Sequence, residues 1–212
     1  MDTDSPLYYT DSGEIWDGKS DELTRNQDDV YPTDSILTDW ILAHKPTELL
    51  ALGTGHGRFE RNNLLNKDIK LYGQDISGEQ LKKYKKNVPT GTVHCQCAIK
   101  DIPEGRKFPV AFCSGTLTHI PPADILASLT RIGTLCEVFI ASEFFIIEAD
   151  SESLFVQGDR LTYQAGGSFC GKGMDTFCYD YRKLFSVFKG EFKSTRLSKD
   201  SRYGVLEFKF RN

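Results

Sequence analysis

Apolar positions along this chain change period from one segment to the next, and the changes mark out its elements. Residues 48–52 form a short apolar run that ends at Gly53, and residues 69–75 form a second that ends on Asp75. Runs of this length bounded by turn residues predict strands, and three more follow over 93–97, 109–113 and 138–141. Helical spacing fills the gaps. Ile36, Leu37, Trp40 and Ile41 share a face in a helix opened by Pro32-Thr33 and closed by Pro46. Helices are predicted over about 58–66 and 78–87, and a further one over 122–132 with Ile125, Leu126, Leu129 and Ile132 inward. In the 78–87 helix Leu81 and Tyr84 supply the inward stripe, and the lysines from Lys82 to Lys86 belong to a solvated face. Strands alternating with helices imply right-handed β-α-β units and an α/β fold, a doubly wound parallel sheet covered on both faces. The segments 191–196 and 205–210 instead alternate at period two, which predicts a C-terminal antiparallel hairpin. Residues 1–31 are polar and acidic with no period and read as an N-terminal arm or lid; 32–212 read as a single domain.

The junction after the first strand carries the chemistry. Leu52-Gly53-Thr54-Gly55-His56-Gly57 runs straight from a strand toward a helix. Glycines so spaced let the chain turn sharply and let its backbone approach a nucleotide-like ligand closely. Asp75, ending the second strand, stands at the distance expected of a carboxylate for ribose hydroxyls, so an adenosine-containing cofactor is expected. Ligands of open α/β sheets lie beyond the C-terminal strand ends. The segments that converge there are the glycine loop, Asp75, Ala98 to Asp101, Ser114 to His119 and, at the end of the fifth strand, Ser142 to Phe145. Leu52, Gly53, Thr54, Gly55, Asp75, Ile76, Ala98, Ile99, Ser114 and Gly115 are the candidate cofactor-binding residues. His119 is a candidate acid–base group, with capping or packing at the start of the Pro121-Pro122 helix as its alternative role. Glu143 is the second candidate, as a base or as a carboxylate orienting the substrate or the cofactor amine, with solvent exposure at a strand end as its alternative. His56 is expected to shape the loop, and His94 to pack in its strand.

Composition narrows the partners. The 212 residues, 39% hydrophobic and 26% charged, suit one soluble globular unit, and a formal net charge of −4 gives no electrostatic case for nucleic acid or an anionic membrane. With no membrane-length apolar run and an acidic start, a cytoplasmic location is expected. The six cysteines (95, 97, 113, 136, 170 and 178) lack zinc-ligand spacing and sit mostly in apolar strands. They are expected to be structural thiols, and no metal site is expected.

The Gly53-x-Gly55-x-Gly57 run resembles the first motif of class I S-adenosylmethionine-dependent methyltransferases. A more specific resemblance covers most of the chain. Residues 16–26 (Trp-Asp-Gly-Lys-Ser-Asp-Glu-Leu-Thr-Arg-Asn) resemble the W-x-G-x-F-G-D-E-Y-x-x-R-N segment of methyltransferases associated with pseudaminic acid biosynthesis. Residues 114–120 are similar to that family's S-G-x-L-x-H-I, 142–145 to its A-E-Y-Y, and 158–161 to a G-x-D-x-R-L-like piece. The resemblance implies a Rossmann-like, mostly parallel seven-stranded sheet. It also implies S-adenosylmethionine held by Gly53, Gly55 and Asp75, and an N-terminal lid in which Trp16, Asp21, Arg25 and Asn26 meet a small-molecule substrate. The implied activity is methyl transfer to a small polar metabolite, a sugar or nucleotide-sugar. Ala51 departs from the pattern, standing where the family carries an acid, and Ser20 stands where it has Phe-Gly. Residues 148–176 read as a variable substrate loop. Three alternatives stay open: a nucleic-acid methyltransferase, a cofactor-binding protein without transfer activity, and an enzyme that consumes S-adenosylmethionine without methylating anything.

Overall fold

The computed structural model describes residues 13–14, 16–18, 21, 29–144, 155–157, 177–198 and 203–211. A helix α1 (Asp34–Ala43) precedes β1 (Glu48–Leu52), followed by α2 (Arg58–Asn63), β2 (Lys70–Asp75), α3 (Gly78–Asn87) and β3 (Thr92–Gln96). A single 3₁₀ turn, Ile99–Asp101, leads to β4 (Phe108–Ser114), and another, Leu117–His119, to α4 (Pro122–Leu135). Then come β5 (Cys136–Phe144), β6 (Phe155–Gln157), β7 (Phe177–Tyr179), α5 (Tyr181–Phe185), β8 (Gly190–Arg196) and β9 (Tyr203–Phe210).

Seven strands form one sheet in the order β3-β2-β1-β4-β5-β9-β8. The five from β3 to β5 pair in parallel, whereas β9 lies antiparallel between β5 and β8. The α/β fold expected from the sequence, doubly wound with a closing hairpin, is therefore present. Because β1 pairs with β2 on one side and β4 on the other, the winding reverses at β1 and opens a crevice there.

Alternation within β1 shows why both faces are covered. Leu49 and Ala51 enter one apolar cluster with Leu37 and Ile41 of α1, Phe59 of α2 and Tyr84 of α3. Leu50 and Leu52 enter the other with Ile125, Leu129 and Ile132 of α4 and Phe185 of α5. Each such leucine, fully buried, contributes roughly 1.5–3 kcal/mol. Below the glycine turn Arg58 forms a buried bidentate pair with Asp34 (2.6 and 3.0 Å), fastening α2 to α1.

The differences from expectation are local. The helix predicted over 58–66 stops at Asn63, where Asn62-Asn63 are weak helix formers and Leu64 leaves helical geometry. The fifth strand is longer than predicted, because α4 passes into β5 without a connecting loop. A two-stranded ribbon, β6 with β7, and the short α5 add elements that the sequence pattern did not mark.

Candidate active site

Register brings the strand ends to one level: Leu52 pairs with Gln74 and with Cys113. The turns leaving β1, β2 and β4 therefore start side by side at the crevice. Gly53, Gly55 and Gly57 all adopt positive φ (58°, 56° and 80°), the region that favours glycine. A Cβ on Gly53 would stand 2.5 Å from Thr116 Oγ1 and 3.0 Å from Thr116 Cβ, so this turn packs directly on the one after β4. On Gly55 a Cβ would meet nothing nearer than Gln80 Oε1 at 3.9 Å, so the loop is open on that side.

Loop amides are held from β2. Gly53 N–H donates to Gln74 Oε1 (3.1 Å), Thr54 N–H to the Gln74 carbonyl (2.9 Å) and Gly55 N–H to Asp75 Oδ2 (2.7 Å). The other Asp75 oxygen accepts from Ser77 N–H (2.9 Å). Asp75 is 7% exposed, and burial pushes its carboxyl up to about 6, opposed by these backbone donors. Ser77 in turn caps α3, accepting from Gln80 N–H at 3.0 Å. Ile76 is half-buried, and Ala98 and Ile99 are buried just past β3.

Under the loop lies Glu60, a buried carboxylate that accepts from the Thr54 hydroxyl and is pushed up to about 7 by burial. Ala51 points into the apolar cluster beneath the sheet. His56 is buried, and burial followed by the Arg58 charge brings it down to about 4, so its ring is neutral near pH 7. Its carbonyl accepts from Asn87 Nδ2 (3.0 Å).

Glu143, the candidate base or orienting carboxylate, turns its carboxyl back onto the protein. It is 1% exposed, and its oxygens accept from Thr116 and Leu117 N–H (2.9 Å each), from Thr118 N–H (3.3 Å) and from the Cys113 thiol (3.2 Å). Burial pushes its carboxyl up to about 7. The carboxylate staples the turn that carries Gly115 and His119. Gly115 N–H donates to the Ser142 carbonyl (2.8 Å), joining the same turn to β5. Ser114 is half-buried at the end of β4.

Trp16 and Asp17 contact the turn after β4 and the start of α3, respectively. Trp16 meets His119 edge-to-face with ring centroids 5.2 Å apart, while Asp17 accepts from the Ser77 hydroxyl and from Glu79 N–H (3.1 Å). Asp21 pairs with Lys83 at 2.7 Å on the exposed surface, an interaction worth under about 1 kcal/mol. Arg25, Asn26 and, apart from β6, the 148–176 segment lie outside the described residues.

Sequence reasoning gave no role to Gln74, Glu60 or Asp17. Only Ser77 left a readable trace, the Ser77-x-x-Gln80 capping signature.

No protein-family model matches the chain, and no curated protein matches it in sequence. Solved structures do match. DhpI in complex with SAH superposes with a TM-score of 0.68 at 13% identity, covering 97% of this chain and 98% of that one. The 1,6-didemethyltoxoflavin-N1-methyltransferase of Burkholderia thailandensis, with 1,6-didemethyltoxoflavin and S-adenosylhomocysteine bound, gives 0.69 at 15% identity and 98% and 91% coverage. Magnesium protoporphyrin IX methyltransferase of Synechocystis PCC 6803 with bound SAM gives 0.69 at 12% identity and 98% and 99% coverage. The chain has the class I methyltransferase fold. The reversal of winding at β1 and the antiparallel insertion of β9 are thus features of that fold, and the glycine turn and Asp75 lie at its crevice.

Among the described residues no helix is long and apolar enough to cross a membrane, and no group of three or more His, Cys, Asp or Glu could hold a metal ion.

Proposed function

We propose that this chain is an S-adenosylmethionine-dependent methyltransferase acting on a small polar metabolite. The observation that carries the reading is Asp75: a buried carboxylate at the end of β2, tied to the Gly55 amide, beside a glycine turn that leaves its outer side open. The residues fit an adenosine cofactor. Asp75 would accept from the ribose hydroxyls, and Ile76, Ala98 and Ile99 would flank the adenine. Leu52 to Gly55 and Ser114-Gly115 would line the remainder. When bound, the cofactor supplies a methyl group on a sulfonium with a good leaving group.

The chain's own contribution is alignment and exclusion of water. His119, half-exposed against Trp16, is placed to take a proton from an acceptor hydroxyl or amine. Glu143 is a positioning residue that holds the His119 turn. A sugar or nucleotide-sugar acceptor is supported by the resemblance of residues 16–26, 114–120 and 142–145 to the pseudaminic acid-associated methyltransferases. The net charge of −4 and the sequence Ser114-Gly115-Thr116-Leu117 after β4 disfavour a nucleic-acid substrate, since amino-group methylation of bases uses Asp/Asn-Pro-Pro-aromatic there. Binding without transfer is the second reading, and Ala51 favours it.

Calorimetric titration with S-adenosylmethionine and S-adenosylhomocysteine tests the reading. Both should bind, and Asp75→Ala should weaken them by about 1–3 kcal/mol through loss of charge-assisted hydrogen bonds. Unchanged affinity in that variant would overturn the site assignment. Binding by the parent chain with no methyl transfer to any of a panel of sugars and nucleotide-sugars would favour the second reading.

A further inference from the structure

The sulfur atoms of Cys95 and Cys97 stand 3.2 Å apart at the outer strand of the sheet. Residues two apart on a strand share a face, but extended backbone alone does not bring their side chains into contact. Here β3 is irregular: Val93 and Cys95 pair with the consecutive residues Gly73 and Gln74 of β2, leaving His94 as an extra residue. Such a bulge bends the strand, and Cys97 follows at the bend after its end. Both thiols are half-buried, so a small reagent can reach them. A disulfide needs the sulfurs to close by only about 1 Å. Two thiolates on a tetrahedral zinc would stand about 3.8 Å apart, and among the described residues no cluster supplies further ligands.

We propose that Cys95 and Cys97 form a reversible intramolecular disulfide that loosens the glycine turn through Gln74. The connection is short. The Cys97 carbonyl accepts from Gln74 Nε2, while Gln74 Oε1 accepts from Gly53 N–H at 3.1 Å. Cys97 N–H donates to the Asp75 carbonyl at 3.1 Å. Rotating the Cys97 backbone to close the sulfur bridge disturbs both the Gly53 and the Asp75 anchors. The effect on ligand affinity rests on the cofactor site proposed above; the disulfide itself does not.

The oxidant is a low-molecular-weight disulfide. Cys97, whose thiol the neighbouring Cys95 S–H holds below the usual range by donating to its thiolate, attacks one sulfur of that disulfide. The external S–S bond breaks, a mixed disulfide forms and one thiolate leaves. Cys95 loses its proton to water and attacks Cys97 Sγ; the mixed disulfide breaks and the second thiolate leaves. Two protein thiols are oxidised and one external disulfide is reduced to two thiols.

The test equilibrates the full chain with oxidised glutathione, blocks remaining thiols by alkylation, and digests with trypsin. Residues 87–100 form one tryptic peptide whose only cysteines are Cys95 and Cys97. It should appear unalkylated and lighter than the reduced peptide by the mass of two hydrogens. Recovery with both thiols alkylated, or with glutathione attached, overturns the proposal. The oxidised chain should bind S-adenosylhomocysteine at least about fivefold more weakly than the reduced chain, and Cys95→Ser should abolish that sensitivity. Equal affinity of oxidised and reduced chains overturns the coupling. Should the reduced chain bind no S-adenosylhomocysteine, the cofactor reading fails while the peptide mass still decides the disulfide.

Discussion

Replacing Gly53 with alanine probes the contact on which the crevice is built. At φ 58° a Cβ costs about 1–2 kcal/mol relative to glycine. The new methyl would also lie 2.5 Å from Thr116 Oγ1 and 3.0 Å from Thr116 Cβ, whereas non-bonded carbon atoms settle about 3.5–4.0 Å apart. Thr116 has little freedom to yield. Its hydroxyl donates to the Leu52 carbonyl (3.1 Å) and its N–H to Glu143 (2.9 Å). Forcing extra volume into such a contact costs about 1–3 kcal/mol more, for a total of about 2–5 kcal/mol. Thr116→Ala removes the obstructing Oγ1 and Cγ2 atoms and alone costs about 1 kcal/mol for the lost hydrogen bond. In the double variant the steric part should largely disappear, leaving a favourable coupling of about 1–3 kcal/mol. Urea unfolding of the parent chain, both single variants and the double variant measures it. Additivity within about 0.5 kcal/mol would refute the reasoning, because the two turns would then not press on one another.

Affinity for S-adenosylhomocysteine should hold steady from pH 8 to 7 and fall about tenfold per unit below about pH 6, as protonation of Asp75 removes the acceptor. Titration calorimetry across that range checks it, and Asp75→Asn should flatten the profile. The same raised pKa has a sign for folding: the unliganded fold holds a proton more tightly than the unfolded chain, so this group's contribution to stability falls as pH rises from 3.8 to about 6. Glu143→Ala leaves three backbone N–H groups, two of them buried, without their acceptor and should cost about 2–4 kcal/mol in urea unfolding, with Glu143→Gln costing less. Trp16→Ala should leave stability within about 0.5 kcal/mol and shift the His119 ring resonances in NMR spectra, since its indole lies against that ring.

What was legible in the sequence was what depends on neighbours along the chain. The 78–87 helix carries its own cap at Ser77, its inward stripe and its terminal lysines, and α3 occupies those residues. β1 and β2 were readable because apolar runs ended at Gly53 and Asp75. α5, the five residues Tyr-Arg-Lys-Leu-Phe, is too short for a period to show. In the site, the Asp75 position followed from spacing to the glycines, but its partners did not. Gln74 bridges Gly53 to Cys97, and Asp17 reaches Ser77 and Glu79, through contacts between segments far apart in sequence. Glu143 shows the limit most clearly. A glutamate at a strand end reads the same whether its carboxylate faces a substrate or folds back on three amides, and only tertiary structure separates the two.

The position of β9 bears on how the chain reaches this state. β9 follows β8 in sequence yet lies between β8 and β5, so β5 has no partner on that side until both strands of the hairpin exist. During synthesis from the N-terminus, the glycine turn, β2 and the parallel half emerge first, while Phe139, Ile140 and Ala141 wait on an open edge. Such an edge invites pairing with another chain. The hairpin must add as a unit, and the non-local closure it requires is slow relative to local helix formation. Ribosome-bound fragments ending before β9 should therefore be the stage at which this protein depends most on chaperones.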